Sequence, residues 1–487
     1  MNFLSVRYLL FLALATLLCC KLKPKQRNAV LLLMSYLFYS CFHAVYALYL
    51  LAATFTTYFC AIFIERKFWG RRRLWLTACL VLDLGMLFFF KYFNFSMEIA
   101  ARSLSLAGIS AEAPFLRLLL PVGISFYLFQ ITGYLIDVYR GELKAEENPV
   151  DFALFASFFP GLTSGPIQRA GFMLPQYKEA HPFDFGNMKS GAMQFLWGAF
   201  KKMVLADQLA ILVNTAYINP AACSGIQLLF AAAAYSVQIY CDFSAYSDMA
   251  IGSAKIMGFD IPKNFDCPYF ATSVKEFWRR WHISLSTWFR DYLYFPLGGS
   301  RRGKPRVYLN LMIVFIVSGL WHGAALNFAA WGMLHGLFQV AGYLSSPLRG
   351  KLRRFLRISE QSRLLTVLRC LFTFLLVTAA WVFFRAGSIQ DAVYILCRIA
   401  SIPFSGGFYP TNLTALGLSR ARLLALFAFT ALLFAADWGE NKFHFTEKLN
   451  KSAALRFSVY FVLIAAVLIF GYYGAGFNPQ DFVYFKF

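Results

Sequence analysis

The chain has 487 residues, of which 59% are apolar and only 14% charged, with a net charge of +22. Soluble chains carry about 25% charged residues. The shortfall, with apolar runs recurring along the whole length, excludes a single soluble core and predicts an all-α polytopic membrane protein.

The positive charges sit in short clusters between apolar runs. That pattern reports orientation toward the cytoplasm rather than a nucleic-acid partner, for which no aromatic-basic module is present. Ten cysteines are spread mostly through the apolar runs, as at Cys60, Cys79 and Cys370. No CxxC pair or His-Cys cluster has metal spacing, so no metal is expected and the thiols read as small buried hydrophobes.

In chain order, Leu4 to Cys20 reads as a retained first span rather than a cleaved signal, because Ala13-Leu14-Ala15 lies inside the run instead of after it. The basic loop KLKPKQR (21–27) follows and is placed inside, which puts the N-terminus outside. Asn28 to Ile64 is too long for one crossing and divides near His43 into two. It exits at ERKFWGRRR (65–73) on the inside. Leu74 to Phe95 crosses outward, interrupted by Asp83, and a segment poor in positive charge continues to about Phe115. Leu116 to Tyr139 returns, its start made irregular by Pro121 and Gly123. Asp151 to Arg169 is too short and too broken by Pro and Gly to cross. It reads as a re-entrant or interfacial element, which membranes tolerate only where protein or a wet cavity surrounds the backbone.

Helices are expected in Met193–Ile218 and Gln227–Met257, then a long cytoplasm-facing region over Lys263–Arg306. Val307 to Trp321 and Ala324 to Leu348 go out and back, to a basic cluster over Arg349–Arg363. Leu364–Phe384, Leu423–Ala436 and Phe457–Tyr473 complete a bundle of roughly eleven to twelve crossings, with both termini outside. The division expected is one integral membrane domain, with N-terminal helices in 1–115, a core in 116–348 and C-terminal helices in 349–487.

Several constellations can carry chemistry. Read as one helix, Glu276–Phe295 places Trp278, Trp281, Leu285, Phe289 and Tyr292 on one apolar stripe, with Lys275, Arg279, Ser286 and Arg290 on a separate polar face. That is a helix lying at the membrane surface, with His282 at the edge of the stripe. His322 follows LMIVFIVSGLW, and an ionisable residue at that depth is a functional candidate by default. Burial keeps an imidazole neutral and able to accept a proton. Gly319 and Gly323 bracket it and would admit a substrate. The competing reading for both histidines is a packing role, and His335 in WGMLHG reads as structural.

GGSRRGKPR (298–306) matches a phosphate loop at Gly298, Gly303 and Lys304. Pro305 stands where Ser or Thr is required, so a nucleotide hydrolase is rejected. Arg279, Arg280, Arg301, Arg302 and Lys304 remain as candidates to hold the phosphates of coenzyme A, against the alternative of a basic loop that only sets topology. Asp242 and Asp248 in YCDFSAYSDMAIG either stabilise a helix or, with Trp278 and Trp321, line the wall of a site. Arg385 in WVFFRAG is expected to reach for the outer interface.

From about PVGISFYLFQITGYLIDVYRGE (121–142) onward, the chain resembles the membrane-bound O-acyltransferases. FFPGLTSGPIQR, YCDFSAYSDMAIG, EFWRRWHISLSTWFRDYLYFPLGG and SGLWHG carry the resemblance. It is strongest to the branch of alginate O-acetyltransferase and the D-alanyl transfer protein of teichoic acid synthesis. The closing DFVYFKF (481–487) looks closer to the alginate type.

The resemblance implies a multi-helix fold with a central tunnel, His322 as catalytic residue and His282 as the second family position. It also implies no bound cofactor. The acyl donor would be a cytoplasmic thioester, acetyl-CoA or an acyl carrier protein. The acceptor would be an exported polysaccharide or an extracytoplasmic SGNH-type acetyltransferase partner, at the plasma membrane. Two rivals stand beside this reading. One is D-alanyl transfer to teichoic acid from a carrier-protein thioester. The other is a transporter or flippase without chemistry, whose signature of paired inverted repeats is not found.

Overall fold

The computed structural model describes residues 2–109, 114–116, 119–402, 412–443 and 445–473. The closing segment 481–487 and the expected outward C-terminus lie outside the described residues. Among those residues every regular element is a helix and none is a strand. Two compact units separate, Met1–Phe195 with Tyr246–Lys263, and Leu196–Ala245 with Asn264–Phe487.

The first unit begins with α1 (Val6–Lys21), α2 (Pro24–Ser40) and α3 (Ala44–Glu65). The long apolar stretch therefore breaks at the expected place, and His43 caps α3 by accepting from the Val45 N–H. Next come α4 (Arg72–Leu87), a π-helical turn over Phe88–Tyr92 and α5 (Phe93–Leu106). They run on as one 35-residue apolar helix, so the span expected to end at Phe95 continues another eleven residues. Asp83 is buried within it. Its Oδ2 accepts from the Thr57 hydroxyl at 3.1 Å, which gives one of the two carboxyl oxygens a partner in an apolar context.

Three further short elements follow α6 (Ile124–Arg140), namely α7 (Pro149–Ser157), α8 (Phe159–Leu162) and α9 (Ala170–Lys178). Residues 154–168 are buried without a break, as irregular backbone at membrane depth requires. Gly123 starts α6 with φ +75°, and a Cβ there would stand 2.5 Å from the Leu162 carbonyl oxygen and 2.9 Å from Thr163 Cα. Only glycine permits that approach. Arg27, expected in a short basic loop on the inside, is 1% exposed. Its guanidinium donates to the carbonyls of Tyr177 at 2.7 Å and Glu179 at 2.8 Å, while Asn28 donates to Asp151 at 2.7 Å. The basic residue is thus spent on tying α2 to the turn after α9 rather than on topology alone.

The residues of α10 (Phe185–Phe200) and α12 (Gly225–Ile256) are divided between the two units, and α11 (Asp207–Ile218) is joined to α10 by a π turn over Lys201–Ala206. The second unit continues with α13 (Val274–Arg280), α14 (Ile283–Phe289), α15 (Lys304–His322), α16 (Leu326–Phe355), α17 (Arg363–Arg385), α18 (Ile389–Ala400), α19 (Arg420–Phe443), α20 (Phe445–Lys451) and α21 (Ala453–Phe470).

Six helices are long and apolar enough to cross a membrane among the described residues: α3, the continuous helix from α4 to α5, α12, α17, α19 and α21. The apolar window of α12 is 72% buried and that of α21 only 11%, so α12 packs inside protein while α21 presents its surface to lipid. The chain is a multi-pass membrane protein. The remaining expected crossings fall on α1, α2, α6, α10 with α11, α15 and α16. Of these, α1, α2 and α6 are only 16 or 17 residues long.

Candidate active site

The end of α15 is set by glycines. A Cβ on Gly319 would overlap the Phe328 carbonyl of α16, and one on Gly332 would overlap the Phe315 carbonyl of α15. Two facing glycines let the helix backbones touch, the packing device of membrane helices. A Cβ on Gly323 would strike the Phe328 ring. The space beside His322 at these glycines is therefore filled by α16, which corrects the expectation that Gly319 and Gly323 leave room for a substrate. Their work is to fix the last turn of α15.

On that turn His322 is 2% exposed. Its ring lies in an aromatic box: Trp321 at 4.9 Å, Trp331 at 5.1 Å and Phe384 at 5.5 Å between centroids, all near-perpendicular. The His282 ring is 6.3 Å away. The two histidines, forty positions apart in sequence, are thus brought together in one unit.

His282 is not on the helix that the apolar stripe predicts. The segment is broken into α13 and α14, followed by a π turn over Arg290–Tyr294. The break falls at His282, whose φ of 44° and ψ of 54° are left-handed, a conformation costly for a residue with a Cβ. The expected surface helix is corrected to a buried elbow. Trp278, Trp281, Leu285 and Phe289 are all buried, so the stripe is core and not a membrane-facing side. The physical reason lies at the cap. Trp281 and His282 leave helical geometry, and the backbone then pairs with the preceding loop, Ile283 N–H donating to the Asn264 carbonyl and Asp266 N–H to the Arg280 carbonyl, both at 2.9 Å.

Asn264, 1% exposed, organises this elbow. Its side-chain oxygen accepts from the Ser284 N–H at 3.1 Å and the Ser284 hydroxyl at 2.9 Å, and lies 3.3 Å from His282 Nδ1. A backbone N–H can only donate, so the atom it meets is the amide oxygen. Next to that oxygen Nδ1 must carry the proton. In a neutral imidazole Nε2 is then the nitrogen with the lone pair. His282 lies outside the membrane-spanning helices and is wholly buried. Burial pushes its imidazole down to about 3, so the ring is neutral at physiological pH. The Phe243 ring stands edge-on at 4.6 Å.

His335 is wholly buried and its Nδ1 accepts from Trp278 Nε1 at 3.2 Å. Trp278 is thereby engaged in holding α13 to α16, and Trp321 packs directly on His322. Asp242 pairs with Lys202 at 2.7 Å, and Lys202 also reaches Asp207 at 2.9 Å. Asp248 lies in the other unit and accepts from Gln194 at 3.1 Å. Arg280 is held by Glu276 at 2.8 Å and Asn441 at 2.9 Å, while Arg279, Arg301, Arg302 and Lys304 are exposed.

Sequence reasoning missed Asn264, Ser284, Trp331, Phe384 and the buried pair Lys201 and Lys202. The lysines were detectable, being two adjacent ionisable groups in the apolar run GAFKKMVLA, where a charge needs a partner. Asn264 stands in a loop with no spacing relation to either histidine, and nothing in the sequence points to it. Among the described residues no group of His, Cys, Asp and Glu is arranged to hold a metal.

Comparison with known proteins gives consistent matches. Residues 142–385 match the model of MBOAT, the membrane-bound O-acyltransferase family. Over 428 residues, covering 86% of this chain and 78% of the relative, the sequence is 37% identical to a Pseudomonas aeruginosa protein named "Probable alginate O-acetylase AlgI". It is 35% identical over 393 residues to the peptidoglycan O-acetyltransferase of Helicobacter pylori, covering 75% of this chain and 72% of the relative. Similarity to the teichoic acid D-alanyltransferase of Streptococcus thermophilus is 32% over 230 residues, 44% of this chain and 55% of the relative.

Proposed function

The chain belongs to the membrane-bound O-acyltransferase family, and from that premise we propose that it moves an acetyl group from cytoplasmic acetyl-CoA to a hydroxyl of an exported polysaccharide, directly or through an extracytoplasmic SGNH-type partner. Membership of an enzyme family of acyl transfer sets aside the transporter reading. The observation that carries the proposal is the pairing of His322 and His282, 6.3 Å apart between ring centroids and both buried. Acetylation is favoured over D-alanylation because the O-acetylating relatives match 75% or more of the chain and the D-alanyltransferase only 44%.

In this reading His322 takes the proton of the acceptor hydroxyl. The oxygen attacks the thioester carbonyl carbon, a C–O bond forms and the C–S bond breaks. The departing thiolate recovers the proton, leaving an acetyl ester, free coenzyme A and a neutral His322. His282, with Nδ1–H committed to Asn264, offers a lone pair at Nε2. It can orient the acceptor hydroxyl by accepting its hydrogen, and it has no hydrogen there to give to an oxyanion. Arg279, Arg301, Arg302 and Lys304, exposed and basic, suit the phosphates of coenzyme A at the cytoplasmic face. Arg280, already held by Glu276 and Asn441, is the least available of the five. The short acyl group is neutral and can enter where charged coenzyme A cannot.

The test is acetyl transfer by the purified protein in lipid. Acetyl-CoA should be consumed with ester formation on a saccharide acceptor. Consumption only from a carrier-protein thioester would replace this reading with D-alanylation.

A further inference from the structure

Arg385 ends α17, at a helix end expected to reach the outer interface. It does not extend into solvent. The side chain is half-buried, its Nη2 donates to Asn214 Oδ1 at 2.6 Å, and the guanidinium carbon lies 5.4 Å over the ring of Tyr217. Among the described residues no carboxylate pairs with it. Beside Tyr217, at 6.1 Å between centroids, stands Tyr235. The two phenols are 7% and 0% exposed, and neither hydroxyl has a hydrogen-bond partner among the described residues. The Arg385 charge acts on both.

A buried donor left without an acceptor costs about 1–3 kcal/mol, and native structures rarely carry such groups without a reason. Here two stand beside a cation that has no carboxylate partner among the described residues. One missing partner answers all three, an anion that accepts from the guanidinium and from both hydroxyls. We propose that Arg385, Tyr217 and Tyr235 form a binding site for a carboxylate, and that its bearer is an acidic acceptor saccharide. A carboxylate fits better than a phosphate. There is a single cation, its planar fork matches two oxygens, and two neutral donors complete the set, whereas phosphate sites gather several cations or a row of backbone N–H groups.

The location gives the site its purpose. Phe384, the residue before Arg385, forms one wall of the His322 box at 5.5 Å. A sugar anchored by its carboxylate at Arg385 would be held at the end of the helix that supplies that wall. The identification of the bearer rests on the proposed function, since it takes the acceptor to be a saccharide. The carboxylate site itself stands on the geometry alone.

The phenol hydroxyls bond nothing among the described residues, so replacing them by hydrogen removes a ligand contact without removing a structural one. The experiment uses the full chain in lipid nanodiscs, without acyl donor, and reads the thermal midpoint against a uronic-acid oligosaccharide, a neutral oligosaccharide of equal length, and inorganic phosphate. The uronate should raise the midpoint by linkage, and the other two should not. The double variant Tyr217→Phe, Tyr235→Phe should have a ligand-free midpoint no lower than that of the wild type and need at least about tenfold more uronate for the same shift. Arg385→Gln should lose the shift altogether. No uronate shift in the wild type, an equal shift from the neutral sugar or from phosphate, or an unaltered response in the double variant would each overturn the site. Acetyl transfer is measured on the same samples. Uronate binding without any transfer would count against the proposed function alone, and transfer to a neutral acceptor without uronate binding would count against this site alone.

Discussion

The amide oxygen of Asn264 decides which nitrogen of His282 can take a proton. It accepts from both donors of Ser284 and faces Nδ1 at 3.3 Å, so its loss leaves buried donors unmet and the imidazole free to change tautomer. Asn264→Ala is expected to cost about 1–3 kcal/mol of stability. It should also lower the rate at saturating substrate more than it raises KM, while Asn264→Asp, which restores the acceptor, should recover the larger part with a shifted pH profile. A rate unaffected by Asn264→Ala would remove Asn264 from the mechanism. The depressed His282 also predicts a pH effect with a definite sign. The folded ring stays neutral down to about 3, while the unfolded ring takes up a proton below about 6.5. Its contribution to stability is therefore complete above about 6.5 and is lost as pH falls from there toward 3. The thermal midpoint of the wild type should fall across pH 6.5 to 4.5 more steeply than that of His282→Gln. His322 was legible from an apolar run that ends in an imidazole. The state of His282 was not, because it depends on a loop residue eighteen positions upstream that no periodicity connects to it.

At the scale of elements, the site depends on two close approaches. Helices α15 and α16 meet through Gly319 and Gly332, and a side chain at either would collide with a carbonyl of the other helix. Gly319→Val should destabilise the protein by about 1–3 kcal/mol through overpacking and reduce acetyl transfer, because the displaced turn carries His322. Normal activity with an unchanged midpoint in Gly319→Val would show that the helix contact is dispensable. The π turn between α10 and α11 makes a second approach. It turns consecutive Lys201 and Lys202 both inward, 2% and 4% exposed, with Lys202 shared between Asp207 and Asp242 and Lys201 donating to Ser244 at 2.6 Å. Lys202→Met would leave two buried carboxylates without their cation, and a loss of about 3–5 kcal/mol is expected, read as a lowered midpoint in detergent.

Helix existence and most breaks were readable from apolar run length, basic punctuation and the Pro-Gly cluster at 160–166. The elbow at His282 was not. Its residues keep helical spacing through the break, and the left-handed turn is held by tertiary pairing with the Asn264 loop, which overrides the local pattern.

For the whole molecule, the recurring apolar runs already pointed to a multi-pass membrane protein, and four ordered motifs to the acyltransferase family. The burial of Arg27 shows where such reading stops, because a basic residue between spans can serve the fold as well as topology. Orientation is a proposal that follows from the basic clusters. A single cysteine at Arg301, in a cysteine-free background, should react with an impermeant thiol reagent only from the cytoplasmic side of membrane vesicles. Labelling from the outer side would invert the topology.

The central claim is that the chain carries an acyl group from one face of the membrane to a hydroxyl at the other by way of His322. The most direct measurement places acetyl-CoA outside sealed proteoliposomes and a saccharide acceptor within them, and follows acetyl ester in the lumen. The account predicts ester formation by the wild type and a fall of about 10²–10⁴-fold in His322→Ala, with the protein still folded. Equal ester formation by His322→Ala, or ester that appears only when donor and acceptor share one compartment, would contradict it.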